Sequence, residues 1–200
     1  MRTKEAWLEK GYELFALHGP RSLSINKVGK EINQTRTSFY YYFNDLTDFI
    51  NELIEMHLKL FEIFLERGKK ECKQYIPDIH KLLSEFSIGL RFHQQLFNNR
   101  NNPVYNFTYM RCNEISAEAF TIDLFNKYYK LNADKSTLKL IHESLLDAWY
   151  SRLDSNHITV ESMVKLSDEI MESILALHNK PINPYQNHTN NTVSPNKFKR

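Results

Sequence analysis

Residues 28–49 read VGKEINQTRTSFYYYFNDLTDF, and this stretch decides the fold of the N-terminal part of the chain. Three apolar side chains in it and just before it are three and four residues apart: Ile25, Val28 and Ile32. Such spacing places side chains on one face of a helix. Ser24 is a suitable N-cap, and Asn33 tolerates the left-handed conformation that ends a helix. We therefore predict a short helix over residues 24–32.

A second short helix follows in the same stretch. Thr35 is a suitable N-cap, and Asn44-Asp45 ends the pattern before a long helix that we predict over residues 46–70. Three aromatic residues are expected to point inward from this region: Phe39, Tyr40 and Phe43. Two short helices joined by a turn of three or four residues are typical of a helix-turn-helix, whose second helix enters the major groove of DNA. The same spacing also occurs in helical hairpins that never contact DNA.

Helical spacing continues through the rest of the chain. We predict further helices over residues 3–18, 79–99, 103–112 and 114–130, with Asp78 and Asn113 as starts. The last two helices have clear apolar faces, formed by Leu138, Ile141, Leu145, Trp149 and Leu153 and by Val160, Met163, Val164, Ile170, Ile174 and Leu177. Asp154-Ser155-Asn156 is predicted to form the turn between them.

These elements predict an all-α fold in three parts. Residues 1–46 form a three-helix helix-turn-helix DNA-binding domain, residues 47–179 a larger helical ligand-binding and dimerisation bundle, and residues 180–200 a flexible basic tail. Both ends of the chain are basic: residues 1–46 carry seven Lys/Arg against five Asp/Glu, and residues 180–200 carry four against none. A modestly positive head suits a nucleic-acid partner, although a solvated helix face has the same composition.

Composition excludes several classes of protein. The chain is 42% hydrophobic and 25% charged, as soluble globular proteins are. No apolar run reaches the roughly 18 residues that a membrane span needs, and the N-terminus is charged where a signal peptide is apolar, so we expect a cytoplasmic protein without a membrane partner. Cys72 and Cys112 lack metal-ligand spacing, and the eight histidines are scattered. We therefore predict buried thiols, no metal site and no cofactor.

The stretch from Val28 to Phe49 resembles the TetR family signature, in which an Ile-Ala pair, a turn glycine, a capping Ser and a Tyr-x-Tyr/His-Phe block follow at fixed offsets. Leu14-Phe15, Gly19 and Ser24 also resemble that family's first helix and its entry into the second. The resemblance covers roughly residues 4–55. It implies a DNA-reading head, a fourth connecting helix and a bundle that dimerises and usually binds a small molecule.

Three positions depart from the family pattern. Gly29 replaces the usual Ala, Asn33 replaces Gly, and Leu46 replaces a Lys that commonly contacts phosphate. The first two changes are physically mild. The third removes a phosphate contact, which Asn44 is placed to replace in part.

The predicted DNA contacts lie on both short helices: Ser24, Asn26, Lys27, Thr35, Arg36, Thr37, Ser38, Tyr40 and Tyr41. Arg36 is our first choice for base readout, because a guanidinium pairs with guanine through two hydrogen bonds. The resemblance implies contacts to phosphate or sugar for Thr35, Thr37, Tyr40 and Tyr41. Alternatively, Arg36 and Lys27 are ordinary surface residues without a DNA contact, and Tyr40 is a core residue. Phe39, Tyr42 and Phe43 are predicted to be core and not a stacking platform for single-stranded bases.

Six residues are candidates to line a ligand cavity in the bundle: Phe86, His93, Tyr105, Tyr109, Arg111 and Trp149. Each has ordinary core packing as its alternative. Arg111 follows Tyr109 and Met110, so a buried guanidinium there would need a carboxylate or an anionic ligand, whereas an exposed one would need neither.

The sequence thus predicts a DNA-binding transcriptional regulator, a ligand-responsive repressor that binds a palindromic operator as a homodimer through its last two helices. Repression over activation is implied by the family alone. No nucleophile, metal or nucleotide motif suggests an enzyme. The alternative is a helical small-molecule-binding or adaptor protein that has lost DNA affinity, for which Leu46 and the low charge of the head are the reasons.

Overall fold

A computed structural model describes residues 4–178 of the chain. Within these residues the protein forms α-helices and no β-strand. The helices are α1 (Lys4–His18), α2 (Ile25–Glu31), α3 (Arg36–Phe39), α4 (Leu46–Glu71), α5 (His80–Glu85), α6 (Ser87–Asn98), α7 (Pro103–Ser116), α8 (Ile122–Tyr129), α9 (Lys135–Arg152) and α10 (Val160–His178). Helices α1 to α3 form the head, and α4 to α10 form the bundle.

Side-chain caps fix the two short helices of the head. The Ser24 hydroxyl accepts a hydrogen bond from the Lys27 amide over 3.2 Å, and the Thr35 hydroxyl accepts one from the Ser38 amide over 3.3 Å. Asn33 adopts a left-handed conformation with φ 53° and turns the chain from α2 to α3. The two predicted caps and the predicted turn are confirmed. They could be predicted from the sequence because each depends only on neighbouring residues in the chain.

Aromatic side chains make up the core of the head. Trp7 of α1 meets the Phe39 ring edge-on at 5.2 Å, and Phe43 and Phe49 complete the cluster. All four are buried. Tyr40 was expected either to point inward or to contact DNA, and it is 47% exposed, since α3 is only one turn long and Tyr40 falls on its outer side.

The middle of the chain differs from the predicted helix bounds. The helix predicted over residues 79–99 is interrupted at Phe86, which separates α5 from α6 and has non-helical angles (φ −97°, ψ 32°). The predicted start at Asn113 is wrong, because α7 runs through that residue to Ser116 and continues through a π-helical stretch, Ala117–Thr121, into α8. The start of α7 is capped by Asn102, whose side chain accepts from the Val104 amide over 2.9 Å.

Helices α9 and α10 pack side by side, joined by the predicted turn at residues 154–156. Trp149 of α9 donates its indole N–H to the Met163 carbonyl of α10 over 3.4 Å. The Gln94 amide of α6 donates to the carbonyls of Tyr150 and Leu153, which fixes the end of α9 against the bundle. The predicted tail, residues 180–200, lies outside the described residues.

The head packs directly on the bundle. Tyr12 and Phe15 of α1 stack on Phe92 of α6, with ring centroids 4.4 Å and 4.2 Å apart. The buried side chains of head and bundle form one continuous hydrophobic cluster. A movement of α6 is therefore transmitted to α1 by close packing. Among residues 4–178, no helix has both the length and the apolarity to cross a bilayer.

Candidate nucleic-acid interface and interior cavity

Most of the predicted DNA-contact residues are exposed side chains of the head. The exposed ones are Ser24, Asn26, Thr35, Arg36, Thr37, Tyr40 and Tyr41, whereas Lys27 and Ser38 are half-buried. Tyr41 is 83% exposed, an unusual position for a large ring with no structural function. This surface holds the recognition helix α3 and the start of α2, the two parts of a helix-turn-helix that face DNA.

Arg36 lies along the outer side of α3 beside Tyr40. Its Nη2 donates to the Tyr40 hydroxyl over 3.0 Å, and its guanidinium carbon lies 5.6 Å from the centre of the Tyr40 ring. No carboxylate is paired with Arg36 among the described residues, so its remaining N–H donors face solvent. The tyrosine restricts the side chain in the free protein, which lowers the entropy cost of a bidentate contact to a base.

The hydroxyls of this surface are partly engaged within the head. The Ser38 hydroxyl donates to Gln34 Oε1 and to the Thr35 carbonyl, at 3.2 Å and 2.9 Å, so it serves the helix start. The Thr35 hydroxyl accepts from the Ser38 amide as a cap, which leaves its own proton for a phosphate oxygen. Thr35 is therefore better placed than Ser38 to contact the DNA backbone.

The start of α4 lacks the cation of the family pattern. Leu46 is half-buried and packs against the core. Both the backbone and side-chain amides of Asn44 donate to the Asp48 carboxylate, at 3.0 Å each. The expected replacement of the phosphate contact by Asn44 therefore competes with an internal acceptor.

A cavity lies inside the bundle, between α4, α5, α6, α7, α9 and α10. Three of the predicted ligand residues line it: Phe86, His93 and Trp149. Tyr109 lines a separate pocket beside α9, and Tyr105 packs edge-on against Phe15 of the head at 5.8 Å. The prediction that Arg111 lines a ligand cavity is wrong, because Arg111 is exposed and pairs with Glu114 over 3.2 Å.

The cavity lining is uncharged. It contains no Asp, Glu, Lys or Arg, and it is rich in Leu, Ile and aromatic side chains. Burial lowers the pKa of His80, His93 and His142 to about 4, so these three lining residues are neutral near pH 7. A charged ligand would lose its hydration there without a countercharge.

One buried hydroxyl in the lining is available to a ligand. Thr121 is 6% exposed, and its hydroxyl has no hydrogen-bond partner among the described residues. His80, on the same cavity, is engaged with the Ser167 hydroxyl over 2.9 Å. The lining thus offers a wide apolar surface, in which the Thr121 hydroxyl and Nδ1 of His80 are buried polar atoms without a hydrogen-bond partner among the described residues.

A chain of hydrogen bonds connects the cavity with the head. His57 and His93, which both line the cavity, are joined over 3.1 Å from Nε2 to Nδ1. The other nitrogen of His57 lies 2.9 Å from the Tyr12 hydroxyl in α1, and that of His93 lies 3.3 Å from Asn113 Oδ1. Sequence spacing did not identify His57 or Asn113, because the residues come from four helices and meet only when the helices pack.

Comparison with known proteins bears on the head and on the fold. Residues 8–53 match the family model described as bacterial regulatory proteins, tetR family. The solved structure of a transcriptional regulator of the TetR/AcrR family from Aquifex aeolicus VF5 is similar, with a TM-score of 0.53, 19% sequence identity, and coverage of 87% of this chain and 98% of that one. At this identity the likeness shows the fold, and the predicted all-α architecture is confirmed. None of the curated proteins matches the chain.

Proposed function

We propose that this member of the tetR family of bacterial regulatory proteins, which carries the family's DNA-binding domain at residues 8–53, is a ligand-responsive repressor that binds a palindromic operator as a homodimer. DNA-binding transcription regulation follows from the family. The single observation that carries the proposal further is the exposed surface of α3, where Arg36 is held by Tyr40 and has no carboxylate partner among the described residues. A restrained, unpaired guanidinium at the start of a recognition helix suits direct readout of guanine.

A homodimer supplies the second head that a palindrome requires. Several apolar side chains of α9 and α10 support dimerisation through these helices: Val164, Leu166, Ile174 and Leu175 are only partly buried, and Leu140 is 64% exposed. We expect Leu140→Glu, which is well solvated in a monomer, to shift the molar mass measured by light scattering from dimer toward monomer. An unchanged dimer would place the interface elsewhere.

The proposed effector is a neutral, mainly apolar molecule with a polar group that pairs with the Thr121 hydroxyl or with Nδ1 of His80. The uncharged lining and its neutral histidines support this class. N-phenyl-1-naphthylamine is a neutral fluorescent probe of this kind. We expect its emission to rise on binding to the wild type, and an anionic anilinonaphthalene sulfonate to bind at least tenfold more weakly, since an uncompensated charge is costly to bury. Stronger binding of the anion would contradict the proposed class.

Coupling between cavity and head has a short physical route. His57 and His93 line the cavity, Phe92 lies next to His93, and Tyr12 of α1 contacts both His57 and Phe92. A ligand that shifts α4 or α6 therefore displaces α1 and, in a dimer, changes the separation of the two heads. The reverse coupling also holds, so operator DNA should change the affinity for the probe by the same factor.

The DNA test begins with selection of bound sequences from a random duplex pool by the purified full-length protein. We expect a palindromic sequence whose affinity falls steeply with salt concentration, because released counterions dominate phosphate binding. The alternative function, a helical binding protein without DNA affinity, is favoured by one observation: the Asn44 amides at the start of α4 are engaged by Asp48. No enriched sequence at low salt from folded protein would support that alternative.

A further inference from the structure

Three buried metal-ligating side chains meet beside the cavity. His57 of α4, His93 of α6 and Cys112 of α7 each offer one ligand atom, and these atoms lie within 4.8 Å of one another. Their side chains are 4%, 7% and 1% exposed. The three residues come from three helices, and the fold holds them together without any help from sequence spacing.

The partners of the two histidines determine which ring nitrogens face each other. His93 Nε2 faces Asn113 Oδ1, a carbonyl oxygen that can only accept, so the proton of His93 is on Nε2 and its Nδ1 carries a lone pair. That Nδ1 faces Nε2 of His57 at 3.1 Å. The remaining nitrogen of His57 faces the Tyr12 hydroxyl. A ring nitrogen bound to an outer oxygen, with the other nitrogen directed inward, is the usual arrangement of histidines that bind metal ions.

We propose that His57, His93 and Cys112 bind a zinc(II) ion. In a tetrahedral zinc site two nitrogen ligands are about 3.4 Å apart, and nitrogen and sulfur about 3.6 Å, as follows from the usual bond lengths. The two nitrogens here are 3.1 Å apart, and the sulfur is within 4.8 Å, so a rotation of the Cys112 side chain and small ring shifts complete the geometry. Two imidazoles and a thiolate suit zinc, and they leave a fourth position for water or a ligand from the cavity.

In the metal-free chain Tyr12 donates to His57 Nδ1, and His57 Nε2–H donates to His93 Nδ1. Zinc replaces the shared proton between the rings. His57 then carries its proton on Nδ1 and donates to the Tyr12 oxygen, while the Cys112 thiol loses its proton to water. Each ion bound thus releases one proton from the protein.

The site has a consequence for the head. Tyr12 belongs to α1 and changes from donor to acceptor when zinc binds, while the ion joins α4, α6 and α7 to one centre. We therefore expect zinc to change the affinity for operator DNA. This effect rests on the proposed function, whereas metal binding does not, so binding is measured first and without DNA.

The experiment uses the full-length protein, reduced and freed of metal, with cobalt(II) as a spectroscopic substitute for zinc. We expect thiolate-to-cobalt charge-transfer absorption, visible bands of a tetrahedral ion, saturation at one ion per chain, and displacement of cobalt by zinc. Cobalt absorption without a thiolate band, or no saturable absorption, would overturn the proposal.

Variants separate this site from adventitious binding. Cys112→Ser should abolish the thiolate band and weaken zinc binding by at least about 100-fold, whereas Cys72→Ser, the matched control at the other buried cysteine, should keep both. Asn113→Ala leaves all three ligands in place and should weaken zinc binding by about 10- to 100-fold. Circular dichroism checks the folding of each variant. If Cys112→Ser does not fold, the test rests on Asn113→Ala. An unchanged affinity of Asn113→Ala for zinc would then overturn the proposed site.

Discussion

The hydroxyl of Tyr12, in the first helix of the head, lies 2.9 Å from Nδ1 of His57, in the helix that leads into the bundle. Both residues are buried, and both rings pack against Phe92, at centroid distances of 4.4 Å and 4.7 Å. The DNA-binding head and the cavity are therefore separated by a single side chain. This contact is a buried polar connection between the head and a residue of the cavity lining.

Tyr12→Phe removes that connection and little else. We expect the free energy of unfolding to fall by about 1–2 kcal/mol, because His57 loses a buried hydrogen-bond partner while the apolar ring remains. Urea denaturation followed by circular dichroism measures the change. Tyr128→Phe removes a hydroxyl from a ring that is 40% exposed and serves as the matched control, with no expected loss. Equal stability of both variants would mean that the Tyr12 hydrogen bond contributes nothing.

Arg36→Ala tests the DNA-reading surface. We expect affinity for the selected duplex to fall by about 1–3 kcal/mol, with relaxed specificity at one base pair, since a bidentate contact to guanine discriminates by that amount. Competitive binding against duplexes with single base changes measures both effects. Arg152→Ala removes the same charge from an exposed Arg of α9 that pairs with Glu169, far along the chain from the head, and should leave affinity unchanged. Equal losses in the two variants would point to net charge alone.

Lys27→Ala tests a phosphate contact instead of base readout. Lys27 is half-buried at the start of α2, behind the Ser24 cap. We expect its loss to weaken binding by a similar factor for specific and random duplexes, and to reduce the slope of log affinity against log salt concentration by about one. A loss confined to the specific duplex would contradict the phosphate assignment.

Gly29 tests a departure from the family pattern. A Cβ at this position would lie 2.8 Å from the Gln34 carbonyl oxygen and 3.0 Å from the Trp7 ring, so the usual Ala does not fit this head without backbone movement. We expect Gly29→Ala to lower the free energy of unfolding by about 1 kcal/mol, since overpacking outweighs the gain in helix propensity. Gly89→Ala is the matched control: its Cβ would meet only the Tyr12 hydroxyl, at 3.7 Å, and stability should rise by up to about 1 kcal/mol. The opposite order of the two variants would contradict this packing argument.

Stability should fall in mild acid because of the buried histidines. The pKa of His80 and that of His142 are lowered by burial to about 4, whereas an unfolded histidine titrates near about 6.5. Between these values the unfolded chain binds more protons, so the free energy of unfolding decreases as pH falls through about 6.5 and continues to decrease until about 4. We expect each histidine to remove on the order of 2 kcal/mol between about pH 7 and pH 5.

Denaturant unfolding at several pH values measures this dependence. His142→Gln should flatten the curve, because it removes one buried group that must be protonated on unfolding. His157→Gln changes an exposed histidine in the turn before α10 and should leave the curve as it is. Identical slopes for the wild type and His142→Gln would show that this histidine does not contribute.

Sequence predicted those parts of the molecule that local chemistry determines. The caps at Ser24 and Thr35, the left-handed Asn33 and the start of α4 at Leu46 depend on residues within a few positions, and all are found where expected. The aromatic core of the head was predicted for the same reason, since Phe39 and Phe43 have helical spacing. The sequence left open whether Tyr40 is exposed or buried, because a one-turn helix does not fix which face points inward.

The bundle interior depends on helix phase and packing, which sequence spacing constrains less. The sequence predicted that a helix ends at residue 112, whereas α7 continues to Ser116. Asn113 therefore lies on the inner face of α7, one turn after Tyr109, and Arg111 points outward. The pairing of His57 with His93 joins residues 36 positions apart in the chain. No spacing rule links such residues, and only the packing of α4 against α6 and α7 brings them together.

The absence of Asp, Glu, Lys and Arg from the described residues of the cavity lining also bears on how an effector of the proposed kind would reach the cavity. A molecule matched to such a lining partitions readily from water into hydrocarbon, and so it diffuses across lipid bilayers without a carrier. A protein inside a cell would meet such a molecule at a concentration that follows its concentration outside, with no importer to limit or select it. The physical property that admits the molecule to the cell is the same property that admits it to the cavity.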